Sequence, residues 1–131
     1  MQFQSLIVLA LSAAGALAAG NTLQARSNGL GTIYTQEGGT GSCGQAHADS
    51  DMIVAIATDY MSQGGMCGRQ IQITNVGSDD GVGGAGNTAT ATIADTCPSC
   101  DDGHVDMSVG VWNAVTGGAA WGTVNIEWDF I

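Results

Sequence analysis

Two carboxylates and two cysteines crowd into residues 92–108, which read Thr-Ile-Ala-Asp-Thr-Cys-Pro-Ser-Cys-Asp-Asp-Gly-His-Val-Asp-Met-Ser. Asp95 falls where a strand should stop, and Asp106 where a short helix should start. A loop closed by its own cysteines and flanked by two fixed acids has the form of a site rather than a generic turn. If the acids lie close together, repulsion raises one pKa and makes that carboxyl a proton donor. Each acid also has a purely structural reading. Asp106 before Met107 and Ser108 reads as a helix N-cap, and Asp95 as a carboxylate satisfied by backbone N–H groups of its own loop.

Other chemistries of this stretch are weaker. A redox pair at Cys97-Pro98-Ser99-Cys100 needs electropositive surroundings, and Asp95, Asp101 and Asp102 supply the opposite. Zinc needs more than one Cys-x-x-Cys and one nearby histidine, His104. His47-Ala48-Asp49 lacks the Glu of a zinc deaminase, and no Pro precedes the first cysteine of the pair. Both histidines, His47 and His104, are read as surface or loop residues. Residues 79–84 have neither the spaced ligands of a calcium loop nor the lysine of a phosphate loop. No metal and no cofactor are expected.

The elements that must position these acids read as short strands. Ala89, Ala91 and Ile93 alternate with Thr88, Thr90 and Thr92 along the strand leading into the loop. Residues 29–35 read as a first strand, with Leu30, Thr32 and Tyr34 on one face and Ile33 on the other. Residues 70–75 alternate cleanly. Residues 122–130 close the chain as a strand with Val124, Ile126, Trp128 and Phe130 inward. Residues 50–61 fit either a helix or a buried strand. Residues 107–115 predict a short helix. Trp112 and Trp128 are assigned to the core, whereas Trp121, after Gly117-Gly118-Ala119-Ala120, reads as exposed, and an exposed Trp beside a groove could stack on a sugar ring. Several short strands between Gly-rich turns, with 21 glycines in the chain, predict a small closed barrel without exposed edges.

The 131 residues suffice for one domain. Residues 6–17 form an apolar run too short to span a bilayer, followed by Ala16-Leu17-Ala18, a small-x-small cleavage site. Residues 1–19 therefore read as a secretory signal peptide, although no Lys or Arg precedes the run. Residues 20–28 read as a flexible leader or short propeptide, with cleavage after Arg26 one option, and residues 29–131 as the domain. Four cysteines in a secreted chain of this length argue for two disulfides. Three pairings exist on paper; the proximity of Cys97 and Cys100 favours their bridge, which leaves Cys43 with Cys67.

Charge narrows the partners. The chain has 2 basic residues, Arg26 and Arg69, against 12 acidic ones, a formal net charge of −10. Such a surface is repelled by nucleic acid and anionic membranes. Neutral glycans, cationic glycans such as chitosan, and basic proteins stay open as partners. A monomer is expected.

A series of motifs carries a resemblance. Thr32-Ile33-Tyr34 lies in the first strand, and Gly41-Ser42-Cys43-Gly44 follows. Asp49-Ser50-Asp51 precedes Ile53-Val54-Ala55, and Cys67-Gly68-Arg69 precedes Ile71-Gln72-Ile73. Ala94-Asp95-Thr96-Cys97-Pro98-Ser99-Cys100 and Val105-Asp106-Met107-Ser108 come next, and the last strand holds Ile126-Glu127-Trp128. In this order they resemble the small secreted double-psi β-barrel proteins of fungi, akin to expansins, loosenins, barwin-like and rare-lipoprotein-A-like domains, over residues 29–131. The resemblance implies a mainly β, six-stranded double-psi barrel with one or two short helices, and a strand at 52–57. It also implies Cys43–Cys67 and Cys97–Cys100 bridges.

For function, the resemblance implies a polysaccharide groove lined by Thr32, Tyr34, Asp95 and Asp106. The ligand would be cellulose, chitin, chitosan or β-glucan, loosened without cleavage outside the cell. Related endoglucanases of family 45 place a general acid at the position of Asp106 and a base aspartate shortly after the first strand. Gln36 stands at that place here, with Glu37 beside it, so hydrolysis lacks its base. The alternatives are a protein-binding module, such as a cysteine protease inhibitor or host-interacting effector using loops such as 76–87, and a weak hydrolase with Glu37 as substitute base.

Overall fold

The computed structural model describes residues 26–131; the expected signal peptide, and the leader up to residue 25, lie outside the described residues. Six strands close into one barrel: β1 (Arg26–Ile33), β2 (Ile53–Ala57), β3 (Gln70–Gly77), β4 (Thr88–Cys97), β5 (Val105–Met107) and β6 (Val124–Phe130). Their order around the barrel is β1-β5-β2-β4-β3-β6. The pairs β1–β5 and β2–β4 are parallel, and the other four are antiparallel. Two helices complete the fold, α1 (Thr58–Met61) and α2 (Val109–Thr116).

β1 starts three residues before the expected position 29. Arg26, Ser27 and Asn28 pair with Asp129, Trp128 and Glu127 of β6, so a cut after Arg26 would fall inside β1. The ambiguous stretch 50–61 resolves into β2 followed by α1. β2 is buried along its whole length, as expected of a strand flanked on both sides and carrying consecutive β-branched residues.

The barrel is filled by inward positions of every strand. Ile71 and Ile73 of β3, Ile93 of β4 and Ile126 of β6 are at most 1% exposed. Trp112 and Trp128 are both core residues, and each indole finds a carbonyl: Trp112 Nε1 donates to Ala119 O at 2.9 Å and Trp128 Nε1 to Gly103 O at 3.0 Å. Trp128, Tyr60 and Phe130 pack edge to face, and the Arg69 guanidinium sits 4.2 Å over the Phe130 ring. Asn75 is fully buried yet satisfied. Its Nδ2 donates to Gly83 O and Val115 O, and its Oδ1 accepts from Gly77 N, which fixes the Gly-rich loop before β4.

The helix start differs from expectation. Asp106 is not the N-cap; it continues the β5 ladder, paired with Thr32 on one side and Ala55 on the other. Ser108 caps α2 instead, its Oγ accepting from Val111 N at 3.2 Å while donating to Asp51 O at 2.6 Å. Gly117, in the left-handed region at φ 75°, ends the helix.

Both disulfides form as expected, Cys43–Cys67 and Cys97–Cys100. Among the described residues, no helix is long and apolar enough to cross a membrane.

Candidate functional site

The register aligns four residues in one transverse row. Thr32 of β1 is opposite Asp106 of β5, Asp106 is opposite Ala55 of β2, and Ala55 is opposite Asp95 of β4. Val105 and Met107 on either side of Asp106 belong to the core, as do Val54 and Ile56 beside Ala55. Strand alternation therefore turns the whole row outward. Asp95 reaches this row through an irregularity in β4. Ala89, Ala91 and Ile93 point inward, and strict alternation would send Asp95 inward too. The β2–β4 register instead shifts between Val54 and Ala55, so that Ile93 and Ala94 are both buried and Asp95 faces out.

Thr32 Oγ1 donates to Asp106 Oδ1 at 2.8 Å and lies 2.7 Å from His104 Nε2. Burial pushes the Asp106 carboxyl up from its ordinary pKa, and the Asp95 charge adds to that. The Thr32 hydrogen bond and His104 pull it back.

Asp95 is held by three donors. Its Oδ1 accepts from Ser42 N and Thr96 N, each at 2.8 Å, and its Oδ2 from Gln36 Nε2 at 3.2 Å. Ser42 can approach because residue 41 is glycine: a Cβ there would stand 2.7 Å from Ala94 O and 2.9 Å from Asp95 Cγ. The Cys43–Cys67 bridge ties this loop to the turn before β3. A third carboxylate, Asp49, accepts from the backbone N–H of Gln36 at 2.7 Å and of Glu37 at 3.0 Å.

Tyr34 and Gln36 follow β1 into the space between these acids. Burial first, then the charges of Asp95 and Asp106, push the Tyr34 phenol above its usual range, although Gln36 pulls it back. Its hydroxyl therefore keeps its proton and can only be neutral. Tyr34 Oη and Gln36 Oε1 are both buried, and neither completes a hydrogen bond of ordinary geometry within the chain, although the Gln36 side chain stands close enough to the phenol to act on it. A buried donor and a buried acceptor left unpaired are expensive, about 1–3 kcal/mol each.

Thr32, Tyr34, Asp95 and Asp106 are thus brought together, while Trp121 is not among them. It is 60% exposed and lines a separate shallow depression with Asp80, Val82 and Gly122. Glu37 is exposed, accepts from Thr35 Oγ1 at 3.2 Å and has a left-handed φ of 50°. His47 is a loop residue, its Nδ1 3.1 Å from Asp51 Oδ2. His104 is not a mere surface residue: it is half-buried and bonded into the row. The signal available for it was its place two residues before Asp106. In a parallel β1–β5 pair that spacing puts it one strand step from Thr32. Gln36 likewise belongs to the site in its own right, bonded to Asp95. Among the described residues, no group of three or more His, Cys, Asp or Glu could hold a metal ion.

No family model matches the chain. Over 97 residues, 70% of this chain, it is 38% identical to ripening-related protein 7 of rice, Oryza sativa subsp. japonica, and covers 60% of that protein. Over 106 residues, again 70% of the chain, it is 30% identical to kiwellin of Actinidia chinensis var. chinensis and covers 46% of it. The chain thus spans about half the length of the curated relatives it matches.

Among solved structures it resembles an expansin of Clavibacter michiganensis, with a TM-score of 0.63, 24% identity, 81% of this chain covered and 50% of that one. A mutant of that expansin is solved in complex with cellohexaose. The Streptomyces papain inhibitor matches with a TM-score of 0.60 and 25% identity, over 81% of this chain and 94% of the inhibitor. A β-1,4-endoglucanase of the blue mussel, Mytilus edulis, matches with a TM-score of 0.61 and 23% identity, over 81% and 79%. The chain is a six-stranded double-psi β-barrel, with ripening-related proteins and kiwellin as homologues in sequence and expansin, papain inhibitor and endoglucanase barrels as neighbours in structure.

Proposed function

We propose that this chain is a secreted barrel that binds a cell-wall polysaccharide across the Thr32–Asp106–Ala55–Asp95 row and loosens it without cutting. The observation that supports this reading is the outward row itself, in which the strand register aligns Thr32, Asp106, Ala55 and Asp95 and Thr32 Oγ1 donates to Asp106 Oδ1 at 2.8 Å. A sugar ring offers hydroxyls that both donate and accept, which suits a row whose polar groups are a threonine hydroxyl and two carboxyls. The cellohexaose complex of an expansin mutant supports the ligand class. The charge of −10 favours neutral or cationic chains, cellulose, β-glucan, chitin or chitosan, over anionic ones. Two disulfides favour an oxidising compartment, outside the cell.

Cleavage needs a base to activate water opposite the acid. Asp95 is engaged by Ser42, Thr96 and Gln36, and Gln36 is itself an amide without basicity. Glu37 faces solvent and is engaged by Thr35. Asp49 is likewise engaged, through Oδ1, by the backbone N–H groups of Gln36 and Glu37, so every carboxylate around Asp106 already accepts hydrogen bonds from the protein, which supports holding a chain over cutting it. Incubating the mature protein with cellulose, chitin, chitosan and β-glucan, with reducing ends assayed in the same tubes, tests this. Binding without new reducing ends is expected, and released sugar would point to the hydrolase reading.

A second reading is protease inhibition. It is favoured by the papain inhibitor, which the chain covers over 94% of its length, against 50% for the expansin. The binding element would be the loop that Asn75 anchors, where Val76 is 48% exposed. Inhibition of papain that survives Asp106→Ala would establish it.

A further inference from the structure

A threonine hydroxyl has one proton to give. Thr32 Oγ1 stands between two partners, Asp106 Oδ1 at 2.8 Å and His104 Nε2 at 2.7 Å. When the Thr32 proton goes to the Asp106 carboxylate, the contact with His104 is a hydrogen bond only if Nε2 carries a proton. We infer that His104 is the positioning residue of the row: Nε2–H donates to Thr32 Oγ1, and Thr32 in turn aims its proton at Asp106 Oδ1. Without the imidazole, the hydroxyl is free to rotate away and the carboxyl loses its fixed orientation.

The backbone around His104 is built to hold it there. Gly103 and Gly29 cross in contact, and no side chain fits at either. A Cβ on Gly103 would lie 2.0 Å from Asn28 O, and one on Gly29 would lie 1.8 Å from Gly103 O. Gly103 O accepts from the buried Trp128 indole at 3.0 Å, and His104 N donates to Asp101 O at 3.0 Å. The Cys97–Cys100 bridge closes the start of the same loop. The core, β1 and the loop's own turn thus converge on the residue that carries the imidazole.

The chain of three groups has two hydrogen-bond polarities. With Asp106 ionised, protons run Nε2–H to Thr32 to Asp106. With Asp106 protonated, its O–H donates to Thr32, and Thr32 donates to an unprotonated Nε2. The ionisable groups that act on Asp106 are Asp95 from β4 and His104 from its own loop; Tyr34, after β1, feels the charges of Asp106, Asp95 and Asp49.

The inference rests on Asp106 being the ligand-binding acid for its functional arm only; its structural arm needs no ligand. The structural arm is imidazole nitrogen NMR of the wild type and Thr32→Val at alkaline pH, where imidazoles are neutral. The wild type should show the Nε2–H tautomer, and Thr32→Val a mixture of both. The Nδ1–H tautomer in the wild type, or the same populations in both proteins, would overturn the inference.

The functional arm is cellohexaose affinity. His104→Ala should weaken it about tenfold, the loss of one oriented hydrogen-bond chain. His104→Gln, whose amide can still donate to Thr32, should recover most of it. Equal loss in both variants, or none in His104→Ala where Asp106→Ala abolishes binding, would contradict the role. If the wild type does not bind cellohexaose at all, the cellulosic form of the proposed function fails and the tautomer measurement alone decides the role of His104.

Discussion

Thr32 and Asp106 are register partners across the parallel β1–β5 pair, and the threonine hydroxyl donates to the carboxylate at 2.8 Å. Two strands that are distant in sequence thus meet so that a half-buried acid receives an oriented donor. Asp106 is held by one side chain on the row, whereas Asp95 is held by three donors. The two acids therefore respond oppositely to loss of charge.

Asp106→Asn should raise stability near neutral pH. Burial raises the folded pKa of Asp106 above its ordinary 3.8, so the native state binds this proton more tightly than the unfolded chain does. The stabilisation is complete in acid and is lost as pH rises through the folded value. Asparagine carries no charge to desolvate and can still accept from Thr32. Its melting temperature should exceed that of the wild type at pH 7, and the gap should narrow as pH falls through the raised folded value and change no further below 3.8. A variant that melts lower at pH 7 would contradict the assignment.

Asp95→Asn should do the reverse. Its Oδ1 accepts from two backbone N–H groups and its Oδ2 from Gln36, and an amide NH2 turned toward any of these donors leaves it unpaired. Denaturant unfolding should show a loss of about 1–3 kcal/mol. An unchanged midpoint would show that these bonds do not hold the loop at 36–42.

Tyr34→Phe separates a ligand-binding hydroxyl from a structural one. The hydroxyl is buried and completes no hydrogen bond of ordinary geometry within the chain, so its removal should leave stability unchanged or raise it by about 1 kcal/mol. Cellohexaose affinity should fall about tenfold, the equivalent of one hydrogen bond. A clear drop in stability would mean that the phenol serves the fold.

These contrasts show what was legible in the sequence and what was not. Alternation marked the strands at 70–75 and 88–94 and placed Val124, Ile126 and Trp128 inward, where they are buried, and the motif order implied both disulfides and the six-stranded barrel. Thr32 and Asp106 were named from the resemblance, but their hydrogen bond depends on a β1–β5 pairing that no local pattern encodes. Asp106 was expected at a helix N-cap because Ser108 and Asp106 are both good caps; β5 pairing on both edges decides in favour of Ser108. The irregularity at Ala94 was hidden because Ile93-Ala94 reads as ordinary alternation, yet it sets the face of Asp95. His104 was passed over because a lone loop histidine carries no signal until β1 is laid beside β5.

Gly103→Ala tests the grip on that histidine. The new Cβ would meet Asn28 O at 2.0 Å, so β1 and the loop must separate. We expect about 2–3 kcal/mol of destabilisation together with loss of the Nε2–H tautomer at His104. Full stability with an unaltered tautomer would show that the crossing does not position the imidazole.

Replacing Cys43 and Cys67 together by alanine should remove about 3 kcal/mol, since the bridge spans 24 residues. The Cys97–Cys100 bridge, with a separation of 3, should contribute less to stability, because it closes a shorter loop. Thermal melts of the two double variants give the order directly, and a reversed order would contradict it.

The central claim is that the row binds a glycan chain and leaves it intact. The most direct measurement is cellohexaose titrated into the isotope-labelled mature protein, with the oligosaccharide recovered and sized afterwards. Shifts confined to Thr32, Tyr34, Gln36, Asp95, His104 and Asp106, with the hexamer recovered whole, are the predicted result. No shifts at these residues, or shorter oligosaccharides that disappear in Asp106→Ala, would contradict it.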